Sequence, residues 1–255
     1  MTGLTRRPLL VALIAVVIGI GTLVLVRTLA TRTRNTPVYD PPVLAGQPLW
    51  GSCSGGVYAR KGDAVVLTSS GHCTTPGTVA YEPDGVTVRG TFGEAARDAT
   101  CSYPRHTCAS SDINFMIVDP ARIPWGHLNL IDMSAGGYRT VPEGTRALAC
   151  SDVAIGDPLE INGRGIWRTG KVIEKGENLK PSEADGMYFP CMIAADIEVA
   201  TGDSGGVVLV RGFPAGVTSR SFGGYLGFTP LAEGLEQLGL TLCSTPNCDL
   251  TPAGR

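Results

Sequence analysis

From Trp50 onward, short apolar runs alternate with turn signals, and this punctuation constrains the fold more than any other feature of the chain. The run Gly56-Val57-Tyr58-Ala59 precedes a Lys61-Gly62-Asp63 turn, and Ala64-Val65-Val66-Leu67-Thr68 follows it. Further runs span Val86–Arg89, Ile113–Val118, Arg146–Cys150, Pro158–Asn162, Ile166–Glu174, Met187–Val199, Val207–Val210 and Ala215–Ser219. Many are rich in β-branched residues and of strand length, which predicts strands. The 34 glycines supply turns for them, as suits a barrel or sandwich better than a helical bundle. After Pro230 the period changes: Leu231, Leu235 and Leu238 recur at helical spacing. The expected class is all-β with one short C-terminal helix.

An apolar segment precedes this domain. Pro8–Val26 carries no charge and is bounded by Arg6, Arg7 and Arg27. Its 19 residues, rising about 1.5 Å each as a helix, reach roughly 28 Å, one hydrocarbon thickness. Cleaved signal peptides have shorter apolar stretches, so length favours an uncleaved transmembrane helix. Thr28-Leu29-Ala30 leaves cleavage and secretion open as the alternative. With arginines on both flanks, the positive-inside rule does not set the orientation. Residues 31–48 contain Asn35-Thr36-Pro37 and Asp40-Pro41-Pro42 and read as a semi-extended linker. The chain therefore divides into a tail and membrane segment (1–30), a proline-rich linker (31–48) and one all-β domain (49–255). A domain of roughly 210 residues is well within the range of single β domains.

Eight cysteines follow: Cys53, Cys73, Cys101, Cys108, Cys150, Cys191, Cys243 and Cys248. An even number behind an export-type segment reads as disulfides, which places the domain outside the reducing cytosol. Cys101 with Cys108 and Cys243 with Cys248 would close tight local loops, and Cys53 is a partner for Cys73. Connectivity stays open. Zinc is the rival reading, since Cys101, His106 and Cys108 lie close together, but no C-x2-C pair supports it. The formal charge of −2 gives no basic footprint for nucleic acid.

Three short segments carry the chemistry. Thr201-Gly202-Asp203-Ser204-Gly205-Gly206 sets a hydroxyl among glycines, which let the backbone turn sharply and aim N–H groups at one spot. Thr68-Ser69-Ser70-Gly71-His72-Cys73 ends an apolar strand in one of only three histidines. Ser111-Asp112-Ile113-Asn114-Phe115 places an aspartate directly before another apolar strand. A serine hydroxyl is a weak nucleophile and needs a base, an orienting acid and an oxyanion site. His106 and His127 are rival bases, but neither sits in a Gly-His-Cys context, and the rival acid Asp98 has no strand behind it. The chain order His, Asp, Ser argues against the α/β-hydrolase fold, whose order is Ser, Asp, His.

These motifs, spread over residues 53–219, resemble those of the chymotrypsin-like serine proteases, and the brevity of the chain resembles the bacterial, streptogrisin-like branch. The resemblance implies two six-stranded β-barrels with the active site between them and a polypeptide substrate. It requires neither a metal nor an organic cofactor. It implies Ser204 as nucleophile, His72 as base, Asp112 as its orienting acid, and the N–H groups of Gly202 and Ser204 as oxyanion hole. Asp203 would be buried beneath the loop and paired with a cation. No start of the Ile-Val-Gly-Gly type is present, so an internal arginine is expected in place of a freed N-terminus. Gly216-Val217-Thr218-Ser219 aligns with the strand that pairs with extended substrate. Thr201, Thr218, Ser219 and Glu198 are the candidate substrate-binding residues. Glu198 lies six residues before Ser204, where trypsin-like enzymes carry an aspartate; it either points into the pocket, favouring a basic side chain, or lies on the outer face of its strand.

The chain departs from the family at two places. Asn114 stands where a small apolar residue is usual. Arg220 and Ser221 replace the usual aromatic or glycine residues, so that Arg220 either narrows the cleft or selects an acidic side chain. The expected function is a serine endopeptidase of the cell envelope, membrane-anchored or secreted. The alternative is an inactive protease-like domain that binds peptides.

Overall fold

The computed structural model describes residues 45–49, 53–82, 84–96, 107–124, 127–132, 137–176, 187–244 and 248. The apolar run Pro8–Val26, the linker as far as residue 44, the rivals Asp98 and His106, and Cys101 with its expected pairing lie outside them. Among the described residues, no helix is long and apolar enough to cross a membrane.

Two groups of strands build the domain. The first half supplies β1 (Tyr58–Lys61), β2 (Ala64–Ser69), β3 (Val79–Tyr81), β4 (Val88–Ala95) and β5 (Asn114–Val118). The second supplies β6 (Pro158–Gly163), β7 (Ile166–Gly176), β8 (Met192–Glu198), β9 (Val207–Val210), β10 (Phe213–Phe222) and β11 (Tyr225–Pro230). Helix α1 (Leu231–Leu238) and the last strand β12 (Thr241–Leu242) follow.

Strands β6 to β11 close a barrel in the order β6-β7-β8-β11-β10-β9, sealed by antiparallel pairing of β9 with β6. The first half does not close. It forms a six-stranded sheet in the order β12-β1-β2-β5-β4-β3. Its end strands β12 and β3 have two and three residues, too short an edge to bridge the gap. The expectation of two barrels is therefore corrected to one closed barrel and one open six-stranded sheet among the described residues.

Two predicted runs are not strands as read. Met187–Val199 breaks into Met187–Tyr188 and β8, because Pro190 intervenes and cannot donate to a ladder. Arg146–Cys150 leads into a 3-10 turn at Cys150–Asp152. There the Asp152 carboxylate accepts from the Ala149 amide (2.9 Å) and from Arg146 (2.6 and 2.9 Å), a cap that competes with strand pairing. Helix α1 matches its leucine spacing: Leu231, Leu235 and Leu238 are buried, and Gly239 ends the helix at φ +62°.

Strand β9 explains how the halves meet. Its side chains alternate between two cores. Val208 and Val210 point into the barrel with Leu159, Ile161 and Phe228. Val207 and Leu209 join Leu67, Met116 and Leu231 in the other core. A strand buried on both faces reads as an unbroken apolar run, as Val207-Val208-Leu209-Val210 does. Ser204 lies just before this shared wall. Disulfides join Cys53 to Cys73, Cys150 to Cys191 and Cys243 to Cys248.

Candidate active site

Strand β2 carries the chain toward the site and stops at Ser69, so the loop that follows presents His72. The Cys53–Cys73 disulfide pins that loop on one side. Asn114, the first residue of β5, holds it on the other. With its side-chain amide turned to the orientation that satisfies both ends, its nitrogen donates to the Ser69 and Ser70 carbonyls (3.3 Å each) and its oxygen accepts from Thr74 Oγ1 (3.1 Å). The departure at Asn114 thus ties the histidine loop to the strand after Asp112.

Asp112 is buried, with 6% of its surface exposed. Its backbone N–H donates to Thr229 Oγ1 at 2.9 Å, as does the Ser111 hydroxyl. Its Oδ2 lies 2.6 Å from His72 Nδ1 and accepts from the Ser219 hydroxyl at 2.5 Å. Its Oδ1 accepts from the His72 backbone N–H at 3.0 Å. On the far side of the ring, His72 Nε2 lies 3.1 Å from Ser204 Oγ. Burial pushes the Asp112 carboxyl up, but the hydrogen bond and charge of His72, the Ser219 hydroxyl and the charge of Arg220 outweigh it. The carboxyl is held below the usual aspartate range. An imidazole held between an ionised carboxylate and a hydroxyl can take a proton from that hydroxyl.

The serine loop turns on glycines. Gly202 and Gly205 sit at φ +100° and +83°, which only glycine adopts without strain. A Cβ at Gly205 would also collide with the Ser54 carbonyl and the Ser69 hydroxyl. Among the described residues, neither the Gly202 nor the Ser204 N–H donates to a backbone carbonyl.

Asp203 lies beneath the loop, fully buried. Arg168 Nη1 donates to its Oδ2 at 2.9 Å, Arg164 Nε donates to its Oδ1 at 3.0 Å, and the Ala200 N–H donates to Oδ2 at 2.8 Å. Burial raises this carboxyl, yet the arginines and the Ala200 amide overcome it and hold it low. The internal cation expected for Asp203 is two arginines from β7 and the β6–β7 turn.

A cleft of about 640 Å³ opens beside these groups, lined among others by His72, Thr201, Gly202, Ser204, Thr218 and Ser219. Glu198 is exposed and is not part of that lining. Within β8 Ile197 is buried and Glu198 exposed, which fits the outward-facing one of its two readings. The free sheet edge also differs from expectation. Gly216 and Val217 are paired on both sides, to β9 and to β11. The edge open to an added strand begins after Thr218. His127 is exposed and lies outside the cleft lining.

Thr229, Asn114, Arg164 and Arg168 were missing from the residue set that the motifs suggest. Thr229, Arg164 and Arg168 reach the site from distant parts of the chain, whereas Asn114 lies two residues after Asp112 in a quoted motif, where its side-chain role was not read. Only the absence of an Ile-Val-Gly-Gly start signalled the arginines, without saying which.

No protein-family model and no curated protein sequence matches the chain. The solved structures similar to it define the fold as that of the bacterial chymotrypsin-like serine proteases. Protease A of Thermobifida fusca is 22% identical with a TM-score of 0.59, over 80% of this chain and 99% of that one. A glutamic acid-specific serine protease that uses a histidine triad in substrate binding is 23% identical at a TM-score of 0.60, over 79% and 100%. A chymotrypsin of Cellulomonas bogoriensis is 21% identical at 0.57, over 80% and 100%.

Proposed function

We propose that the chain is a serine endopeptidase that works outside the reducing cytosol. The observation that carries this reading is the continuous run of contacts Asp112–His72–Ser204 opening on a cleft. Ser204 Oγ attacks the scissile carbonyl of a polypeptide. His72 Nε2 takes its proton and later gives it to the leaving amine. Asp112 orients the ring and stabilises its charged form. The N–H groups of Gly202 and Ser204 receive the oxyanion; losing one such donor typically lowers the rate by roughly 100- to 1000-fold. The substrate adds as a strand along the β10 edge from Ser219 to Phe222.

The Asp203 pairings support an enzyme whose serine loop is set without a newly cut N-terminus. The three disulfides of the described residues support an oxidising location. The run Pro8–Val26 would hold the domain at the membrane.

Fluorophosphonate labelling of the oxidised chain, read by intact mass and peptide mapping, tests the reading. A single adduct on Ser204 that disappears in His72→Ala is the expected result. No adduct on folded, oxidised protein would overturn it and favour a peptide-binding domain.

A further inference from the structure

The N–H groups of Gly202 and Ser204 sit on a loop whose own sequence does not hold it still. Gly202 is at φ +100°, and glycine takes positive and negative φ about equally readily, so its backbone needs an anchor from outside the loop. The arginines beneath the loop hold the Asp203 side chain, not the Gly202 carbonyl.

That anchor is Ser54. It belongs to the two-residue strand Cys53–Ser54, which pairs with Pro48–Leu49, and it follows the cysteine bridged to Cys73 beside His72. Ser54 is fully buried. Its backbone N–H donates to the Ser204 carbonyl at 2.7 Å, and its hydroxyl donates to the Gly202 carbonyl at 2.8 Å. One residue from the first half of the domain thus holds the carbonyls of both residues whose N–H groups face the oxyanion. Ser54 is itself fixed on two sides. Its carbonyl accepts from the Ser69 hydroxyl at the end of β2 (2.9 Å), and its Oγ accepts from the Arg164 N–H at 2.7 Å. A hydroxyl has one proton, and with the Arg164 N–H filling a lone pair that proton is left for Gly202. Arg164 stands at φ +54°, strained for an arginine, with its stem against Gly202, where an added Cβ would come within 2.7 Å of Arg164 Cδ.

The Gly202–Asp203 peptide is part of the link between the two N–H groups, so rotating it moves one donor relative to the other. Such donors act only when both lie about 2.7–3.1 Å from the place the oxyanion takes. We infer that Ser54 is a positioning residue for the oxyanion hole: it holds the Gly202–Asp203 peptide and the Ser204 carbonyl so that both N–H groups converge on the reacting oxygen. This inference rests on the endopeptidase reading.

The test compares labelling of Ser204 in the oxidised full-length chain by a fluorophosphonate and by its P=S analogue, with rates read by intact mass. In either reaction Ser204 Oγ bonds to phosphorus, fluoride leaves and His72 takes the serine proton. The phosphoryl oxygen fits the N–H donors as it gathers charge, whereas sulfur is larger and a weaker acceptor. Ser54→Ala removes the hydroxyl and keeps the backbone bond to Ser204. It should slow the oxygen reagent by roughly 10- to 100-fold, as a misplaced donor does, and the sulfur reagent by less, so that the oxygen-to-sulfur ratio falls. The pH midpoint of labelling, set by His72 and Asp112, should stay where it is. Ser54→Thr retains a hydroxyl and should keep the wild-type ratio. The ratio is taken within one variant, so the folded fraction does not enter it. If Ser54→Ala does not fold at all, Ser54→Cys, whose thiol is a weak donor, is read in its place once its thiol is confirmed free. An unchanged ratio, or equal slowing with both reagents, would overturn the positioning role and leave the protease reading standing. A ratio lost equally in Ser54→Thr would overturn the part given to the hydroxyl. A wild-type chain that neither reagent labels would remove the endopeptidase reading itself.

Discussion

At the scale of residues, Asp112 concentrates the demands on the site. Its carboxylate is ionised in a buried place, against the pull of desolvation, because donors from distant segments converge on it. Ser219 is one of them, at 2.5 Å. Ser219→Ala removes that donor and lets the carboxyl rise toward its ordinary value. The rate of fluorophosphonate labelling of Ser204 should fall by roughly 10-fold, the low end for a hydrogen bond to a charged group. An unchanged rate would show that Ser219 serves only the substrate. That His72, Asp112 and Ser204 meet was legible in the sequence because each sits in a short, distinctive stretch: Gly-His-Cys at a strand end, an aspartate before an apolar strand, and a serine among glycines. Thr229, Arg164 and Arg168 were not, because an ordinary threonine at a strand end and arginines in a hairpin acquire their roles only when strands far apart in sequence meet. Glu198 could not be assigned for a related reason: the pleat that turns it outward depends on the register of β8.

At the scale of elements, α1 does more than cap the fold. It lays Gly234 against the segment that bears Asp112, so closely that an added Cβ would collide with Ile113 and approach Ser111 Cβ to 2.9 Å. In an exposed helix, Gly→Ala stabilises by about 1 kcal/mol. Here Gly234→Ala should instead destabilise by about 1–3 kcal/mol, the cost of overpacking a filled core. It should also slow the labelling of Ser204 by displacing Asp112. Denaturant melting would show the sign directly, and a stabilised variant would refute this account of the packing. The helix was legible from three leucines because an amphipathic period is local. Strand β11 was not, because Tyr225-Leu226-Gly227-Phe228-Thr229-Pro230 reads as turn-rich and becomes a strand between β8 and β10 only by pairing with both. Barrel closure is likewise a matter of which edges find partners, and no run of residues announces it.

At the scale of the molecule, acid should loosen the domain. Asp203 and Asp112 are both held below their ordinary values. Each therefore contributes stability that is present above the unfolded aspartate value of about 3.9 and is lost as pH falls through the lower folded value. Asp203→Asn should flatten this acid limb of the stability curve. It should also destabilise the protein by about 3–5 kcal/mol at neutral pH, because Arg168 is left without its carboxylate. Thermal melting at pH 7 and pH 3 would measure both; an acid limb unaltered in the variant would assign it to other carboxylates.

The open sheet has one more consequence, in time rather than in space. Its edge strand β12, near the end of the described chain, pairs with β1 near the beginning, through Thr241–Arg60 and Leu242–Ala59. Helix α1, just before β12, supports the segment that holds Asp112. A chain emerging from synthesis or export from its N-terminus therefore presents His72, Asp112 and Ser204 in turn before either support exists. Contacts this distant in sequence form late. The order of the chain thus delays the meeting of Asp112, His72 and Ser204 on a supported frame until almost all of the described domain has emerged.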